Sequence, residues 1–349
     1  MIRPKQLWYL PVLAAAVGMM MLRLLAMAQV LELAEFGRYS AGLLVSTTFC
    51  MLGCAGLQSL LQRDMPIMAA RGRLLRPLVL TMQALLVACA CAAFLLAVPA
   101  AGGELAGLKA GVLAVAILHG LSQQVFLVVT VESRSLGEPV RYAAQNLWRA
   151  LAVVAAGAAA AMSTGSATWT LACEAAVTLV VSFAIVREIA RRFGTRLGAL
   201  AGLAQRRWRQ VDWSAASVFL AISVVSSVAA TVDRWFAASL LDVAEFALYA
   251  FAGIVLLVAQ SAQAMINAAV FPALARRHAL QGSRAAFASS ARVSLALAAA
   301  GVVLCVPAYF LIDSAVQRWY PAYAGGLAIL RSCWPRASCG FRISGPASS

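Results

Sequence analysis

The chain has 349 residues, 63% of them hydrophobic and only 12% charged, with a formal net charge of +15. A water-soluble domain carries about 25% charged residues, so composition excludes a pair of soluble domains of this length. The basic residues lie in short segments between apolar runs and not on a polar, aromatic-studded face, which excludes a nucleic-acid partner and fits a chain that threads a membrane.

Apolar runs long enough to span, each needing ~20 residues, occur at 8–31, 38–61, 76–100, 108–131, 142–162, 168–187, 214–240, 246–271 and 290–312, with a shorter tenth run at 319–332. The first, with Arg3 and Lys5 ahead of it and Ala26-Met27-Ala28 near its end, has features of a signal peptide, but its length favours a membrane helix. The longest connection, 188–213, is strongly basic. It is read either as an amphipathic helix on anionic lipid or as ordinary inside-positive charge. The expected fold is thus an all-α polytopic membrane protein with about ten transmembrane helices.

Arginine and lysine set the orientation. With the N-terminus cytoplasmic, the inner segments through Arg284 hold eighteen basic residues and the outer segments only Arg38, Lys109 and Arg318. An internal repeat sets the organisation. Leu31-Glu32-Leu33-Ala34-Glu35-Phe36-Gly37-Arg38-Tyr39 aligns with Leu241-Asp242-Val243-Ala244-Glu245-Phe246-Ala247-Leu248-Tyr249 at five identical positions of nine, 210 residues apart. Six helices separate the copies, so the two halves enter the membrane the same way round, as two parallel lobes. The expected division is an N-terminal lobe at 1–187, a basic linker at 188–213, an incomplete second lobe at 214–331, and an aberrant tail at 332–349 that reads either as a truncated or frame-shifted end or as a natural short tail.

Cysteine and histidine carry little. Cys50, Cys54, Cys89, Cys91, Cys173 and Cys305 fall inside apolar runs, where cysteine acts as a small hydrophobe. There is no C-x-x-C pair, and the only histidines are His119 and His278. No metal or other cofactor is expected, and the brief connections leave no room for a catalytic domain, so no enzyme activity is expected either.

Several segments resemble one family when taken in order. Ala34-Glu35-Phe36-Gly37-Arg38-Tyr39 resembles the "EFG-x-Y" turn of O-antigen (Wzx-type) polysaccharide flippases. Val140-Arg141-Tyr142 through Arg149-Ala150-Leu151 is similar to their entry to helix five. Asp233-Arg234, Phe271-Pro272-Ala273-Leu274-Ala275-Arg276, Trp319-Tyr320-Pro321-Ala322-Tyr323 and Ile329-Leu330-Arg331 are similar to their later motifs. The resemblance covers 8–331. It implies membership of the multidrug/oligosaccharidyl-lipid/polysaccharide exporter superfamily, whose members have two six-helix lobes around a central cavity. It also implies a cargo, an undecaprenyl-diphosphate-linked oligosaccharide, and a setting, the bacterial inner membrane alongside glycosyltransferases and a polysaccharide polymerase.

Charged side chains within apolar runs are the candidate functional residues, because each costs about 2.5–3.5 kcal/mol near the bilayer centre. They are Arg23, Arg149, Glu174, Asp233 and Arg234. The repeat maps Arg23 onto Asp233, which suggests either a pair facing across a cavity, with the diphosphate competing for Arg23, or two side chains snorkelling to the interface. Arg149 can greet an anionic head group or reach lipid phosphates. Glu174, like Asp233, is a candidate for a coupling proton or sodium ion, or simply packs beside Thr170. Gln123, Gln124, Gln145, Asn146, Gln260, Gln263 and Asn267 form polar stripes suited to sugar hydroxyls or to interhelical bonds. The acidic turns Glu32–Glu35 and Asp242–Glu245 are read as helix caps, with Phe36, Tyr39, Phe246 and Tyr249 as an outer aromatic belt. The rival functions are a multidrug-type exporter, a membrane glycosyltransferase or polymerase, and a non-functional truncated copy.

Overall fold

A computed structural model describes residues 9–72, 75–105, 107–194, 196–254, 257, 291, 295 and 313–326. The chain divides into two compact units, 1–247 and 248–349. The 188–213 segment, expected as a boundary, lies inside the first.

The described residues are helical almost throughout. In the first unit α1 (Tyr9–Val30), α2 (Leu33–Leu52), α3 (Leu57–Ala70), α4 (Leu75–Ala100), α5 (Ala110–Ser135), α6 (Pro139–Thr164) and α7 (Ala167–Arg192) follow one another through short turns. A short α8 (Leu197–Arg206), a 3-10 turn (Trp208–Gln210) and α9 (Trp213–Leu240) complete it, and α10 (Val243–Ile254) begins there. Among the described residues six helices are long and apolar enough to cross a membrane, and seven if α2 and α3 count as one bent span. The chain is therefore an all-α, polytopic membrane-type protein. A helix of α1's 22 residues extends ~33 Å at 1.5 Å per residue, matching a hydrocarbon layer of about 30 Å.

The expected runs and the helices agree closely, with three differences. The run expected at 38–61 is two helices bent by 49°. The break falls at Gly53-Cys54-Ala55-Gly56, where Ala55 and Gly56 have φ of 47° and 79°. Glycine is required at 56 for a second reason: a Cβ there would stand 2.1 Å from the Ala216 carbonyl of α9. The acidic turn is shorter than expected, so α2 starts at Leu33. At the tenth run, helix occupies 313–319 and a 3-10 turn follows at Pro321–Gly326. Most of 246–271, the run at 290–312 and the tail lie outside the described residues.

Packing in the first unit is by neighbouring spans: α1 on α6, α2 on α5, α5 on α4 and α7, α6 on α7, and α9 along α2 and α3. Large apolar side chains face outward all round, among them Phe94, Trp148, Met162, Val180, Phe183, Val225 and Leu240. In water such a surface would aggregate; in lipid it is the favourable one. In the second unit, Phe251 stacks on Tyr323 at 4.4 Å between ring centroids.

Candidate functional site

A buried charged network is strung between α1, α2, α5 and α7. Arg23 Nη1 of α1 donates to Glu174 Oε2 of α7 at 3.2 Å, and the Tyr39 hydroxyl of α2 donates to Glu174 Oε1 at 2.9 Å. His119 of α5 puts its Nε2 3.4 Å from Glu174 Oε2, while its Nδ1 is 2.7 Å from the Ser46 hydroxyl of α2. The Gln123 amide, one turn on, lies 3.4 Å from His119 Nε2. Four helices thus converge on one carboxylate.

The sequence builds this convergence at one depth. Counting from the helix ends at 1.5 Å per residue, Arg23, Tyr39, Glu174 and His119 all lie ~9–14 Å beneath the acidic-turn end of the bundle. A cavity-lining role is not needed to bury them: Tyr39 and Glu174 are both 0% exposed. Space for the carboxylate comes from α6, where Gly157 faces it; a Cβ on that residue would sit 2.6 Å from Glu174 Oε1. The buried Nε of Arg23 has no hydrogen-bond partner.

Arg149 of α6 lies deeper, ~23 Å from the acidic-turn end by the same rise. Its guanidinium sits over the Phe126 ring at 4.4 Å. Among the described residues it has no carboxylate or hydrogen-bond partner. Glu174 is thus paired with Arg23, and Arg149 leaves one unbalanced positive charge in the bundle among the described residues.

The other expected residues are placed differently. Arg23 makes its ion pair with Glu174 in place of the expected Asp233. Asp233 is exposed and Arg234 half-buried on α9, whose link to α2 here is the Trp235 Nε1 donation to Thr48 Oγ1 at 3.2 Å. Gln145 accepts from Ser133 of α5 at 2.7 Å while its buried Nε2 has no hydrogen-bond partner, and Asn146 donates to the Tyr142 carbonyl of its own helix at 2.8 Å. Gln124 donates to Gln58 at 2.8 Å. Gln260, Gln263 and Asn267 lie outside the described residues.

The aromatic belt is corrected in part. Phe36 and Tyr39 are fully buried and Phe246 is 4% exposed, because the early start of α2 draws the first two inside the bundle. The acidic turns do cap helices. Glu35 Oε2 accepts from the Ala167 N–H at the start of α7 at 2.8 Å, while Glu35 also pairs with Arg38. Asp242 and Glu245 form a reciprocal capping box at the start of α10, with Glu245 N–H to Asp242 Oδ1 at 2.7 Å.

Three members of the network, Tyr39, Ser46 and His119, were not among the sequence candidates. A histidine in an apolar run with a glutamine four residues later was the available signal, since residues i and i+4 share a helix face. Ser46, His119 and Glu174 follow the order nucleophile, base, acid, but each is at most 2% exposed, so this arrangement is closed to a substrate.

At the opposite, arginine-rich end a second charged group ties α5, α6 and α7 together. Arg141 Nη1 donates to Glu132 and Glu138, both at 2.9 Å, and Arg192 donates to Glu138 at 2.7 Å. The Arg192 guanidinium, then that of Arg141, hold the Glu138 carboxyl down at about 2, below the usual carboxylate range.

The chain matches no protein-family model, no curated protein and no solved structure. Function is therefore inferred from the membrane-embedded charges themselves.

Proposed function

We propose that this chain is a transporter that moves an anionic, lipid-linked oligosaccharide across a bacterial inner membrane by alternating access, with its N-terminus cytoplasmic. The observation that carries this reading is the unbalanced cation at Arg149. A charge inside an apolar bundle is retained where it meets an interior partner or a wet path, and an arginine without a carboxylate suits the oxygens of a diphosphate. The internal repeat and the ordered resemblance to polysaccharide flippases support the same reading, including two like-oriented lobes and ten helices in all. In that arrangement Arg23 and Arg149 bind the diphosphate, Gln145, Asn146, Asp233 and Arg234 lie along the path, and Glu174 or Asp233 carries the coupling ion. Polymerase and glycosyltransferases are the expected working partners.

The test is reconstitution of the full chain in vesicles with an undecaprenyl-diphosphate oligosaccharide whose sugar is read by an impermeant lectin. The native chain exposes the sugar on the far side; Arg149→Gln slows this by tenfold or more on the order of a lost charge-assisted contact, and Arg149→Lys retains part of it. Equal rates for native and Arg149→Gln overturn the proposal. Export of cationic dyes with no movement of the sugar would favour the multidrug reading instead.

A further inference from the structure

A second site lies at the arginine-rich end, away from the buried network and independent of the cargo. A pocket of about 40 Å³ opens between α3, α4 and the turn that precedes α9, with Asp64, Arg76, Gln83, Arg207, Gln210 and Asp212 in its wall. At ~10–15 Å³ per water-sized group, it has room for about three such groups, the scale of the oxygens of one phosphate.

The wall contains two acids and two bases, but they are not equivalent. Both acids are already occupied. Arg63 Nε donates to Asp64 Oδ1 at 2.6 Å, and its Nη2 lies 3.9 Å from Asp212 Oδ2. Asp212 Oδ1 also accepts from the Ala215 N–H and so caps α9. Arg63 itself is steadied over the Phe219 ring at 5.7 Å. Gln83 is spent on the Ala204 carbonyl at 3.0 Å, which fastens α8 to α4. Arg76 and Arg207, in contrast, have no carboxylate or hydrogen-bond partner among the described residues. Arg63 faces both acids, so three arginines meet two aspartates around the pocket and one positive charge is left unmatched.

The position of the pocket along the bundle says where an anion would come from. Trp208 and Trp213 stand beside it, half-exposed, with ring centroids 5.2 Å apart. Tryptophan pairs of this kind sit at head-group level. Farther along α9, Val218 and Ile222 are exposed at 58% and 56%, the start of the lipid-facing side. The pocket thus opens where lipid phosphates lie.

We propose that this pocket binds the phosphate of an anionic membrane phospholipid, with Arg76 and Arg207 as its two cationic contacts and Gln210 as a donor at the rim. A bound lipid would bridge α4 and the turn before α9, completing ion pairing that the protein leaves open.

The test measures phospholipid retained by the purified full chain, by native mass spectrometry, after exchange into micelles holding phosphatidylglycerol or phosphatidylcholine. The native chain retains phosphatidylglycerol preferentially. Arg76→Gln/Arg207→Gln lowers that retention on the order of tenfold, as expected for two arginines at a charged surface. Arg71→Gln/Arg206→Gln removes the same charge from the same end outside the pocket and leaves retention within about twofold, the difference expected of screened surface charge. Arg76→Lys/Arg207→Lys keeps the charge and restores part of the retention, which separates loss of the site from loss of the fold. Equal losses in the pocket and control pairs, no recovery with lysine, or no preference for phosphatidylglycerol in the native chain each overturn the proposal. Inorganic pyrophosphate distinguishes the phosphate source: phosphatidylglycerol that stays bound in its presence supports a lipid ligand, and complete displacement overturns the lipid assignment.

Discussion

Glu174→Gln is the most informative single change in the buried network, because it removes a charge and little else. The carboxylate accepts from Tyr39 at 2.9 Å and Arg23 at 3.2 Å and faces His119 at 3.4 Å, and the side chains of Arg23 and Glu174 are 8% and 0% exposed. Interhelical hydrogen bonds in membranes average about 0.6 kcal/mol, so the three together amount to about 2 kcal/mol, and glutamine keeps some of that. The stranded Arg23 guanidinium matters more. A charge left alone in an apolar bundle costs about 2.5–3.5 kcal/mol, within reach of the 3–5 kcal/mol found when one partner of a buried pair is deleted. The expected loss for Glu174→Gln is therefore about 3 kcal/mol, dominated by the unpaired cation. Arg23→Met, which strands the carboxylate, loses a similar amount. The double variant removes both charges and lies within about 1 kcal/mol of the native chain, since apolar replacement of a whole buried pair is often neutral. Unfolding in mixed detergent micelles, followed by tryptophan fluorescence, gives all three free energies. Additive losses, to within about 0.5 kcal/mol, would show that the two charges do not depend on each other and would refute this account of the network.

Gly157→Ala sets two opposed effects against each other: alanine gains about 1 kcal/mol of helix propensity, but its Cβ would stand 2.6 Å from Glu174 Oε1 and overpacking costs about 1–3 kcal/mol. Net destabilisation in the same unfolding assay is expected, and a net gain would mean the carboxylate yields freely. Glu35→Ala removes the acceptor for the Ala167 N–H at 2.8 Å and is expected to cost about 1 kcal/mol, the usual value of a helix cap; no change would show that water replaces the cap. Glu138, depressed to about 2 by Arg192 and then Arg141, is protonated more readily in the unfolded chain. Its contribution is present above the ordinary carboxylate range near 4.5 and is lost as pH falls from there towards 2. The native chain should lose stability over that window more steeply than Glu138→Gln, by a small amount because the pair is partly screened by water. Parallel pH profiles for the two would remove Glu138 from the account.

What could be read from the sequence was what the solvent dictates. Spans of apolar residues fix helices wherever backbone groups have no water to bond, so the runs at 76–100, 142–162 and 214–240 reappear as α4, α6 and α9 with small shifts at their ends. The candidates Arg23, Arg149 and Glu174 were legible for the same reason, as charges out of place in apolar runs. Their partners were not. Arg23 meets Glu174 from 151 residues away, and which helix faces α1 is decided by packing that hydropathy does not encode. Tyr39 was misassigned because an aromatic residue near a turn fits an interfacial belt equally well; the start of α2 at Leu33 decides the matter by burying it. The α2–α3 break was hidden for a different reason: Gly53 and Gly56 lie within an apolar run, where glycine is common in spanning helices, and only the approach of Ala216 shows why the chain must turn there.

The placement of strong and weak contacts also limits how such a bundle can work. Glu174 binds side chains from α1, α2 and α5, α6 is pressed against it at Gly157, and Arg141, Glu132, Glu138 and Arg192 fasten α5, α6 and α7 at the other end. These helices are clamped at two depths by charged bonds, so they are suited to move as one body. The seam between α2, α3 and α9 is different. It is joined by close backbone approach at Gly56, by one neutral bond from Trp235 to Thr48, and at its arginine-rich end by the long, solvent-exposed contact of Arg63 with Asp212 at 3.9 Å and by Arg63 over the Phe219 ring, charged contacts that water screens when they part. If access alternates, the low-cost place for motion is this seam, with the Gly53–Gly56 bend beside it. The charged residues within 1–187 would then present a fixed, positively charged wall against which the rest of the chain rearranges, in keeping with transporters whose binding groups stay in place while one lobe rocks on the other.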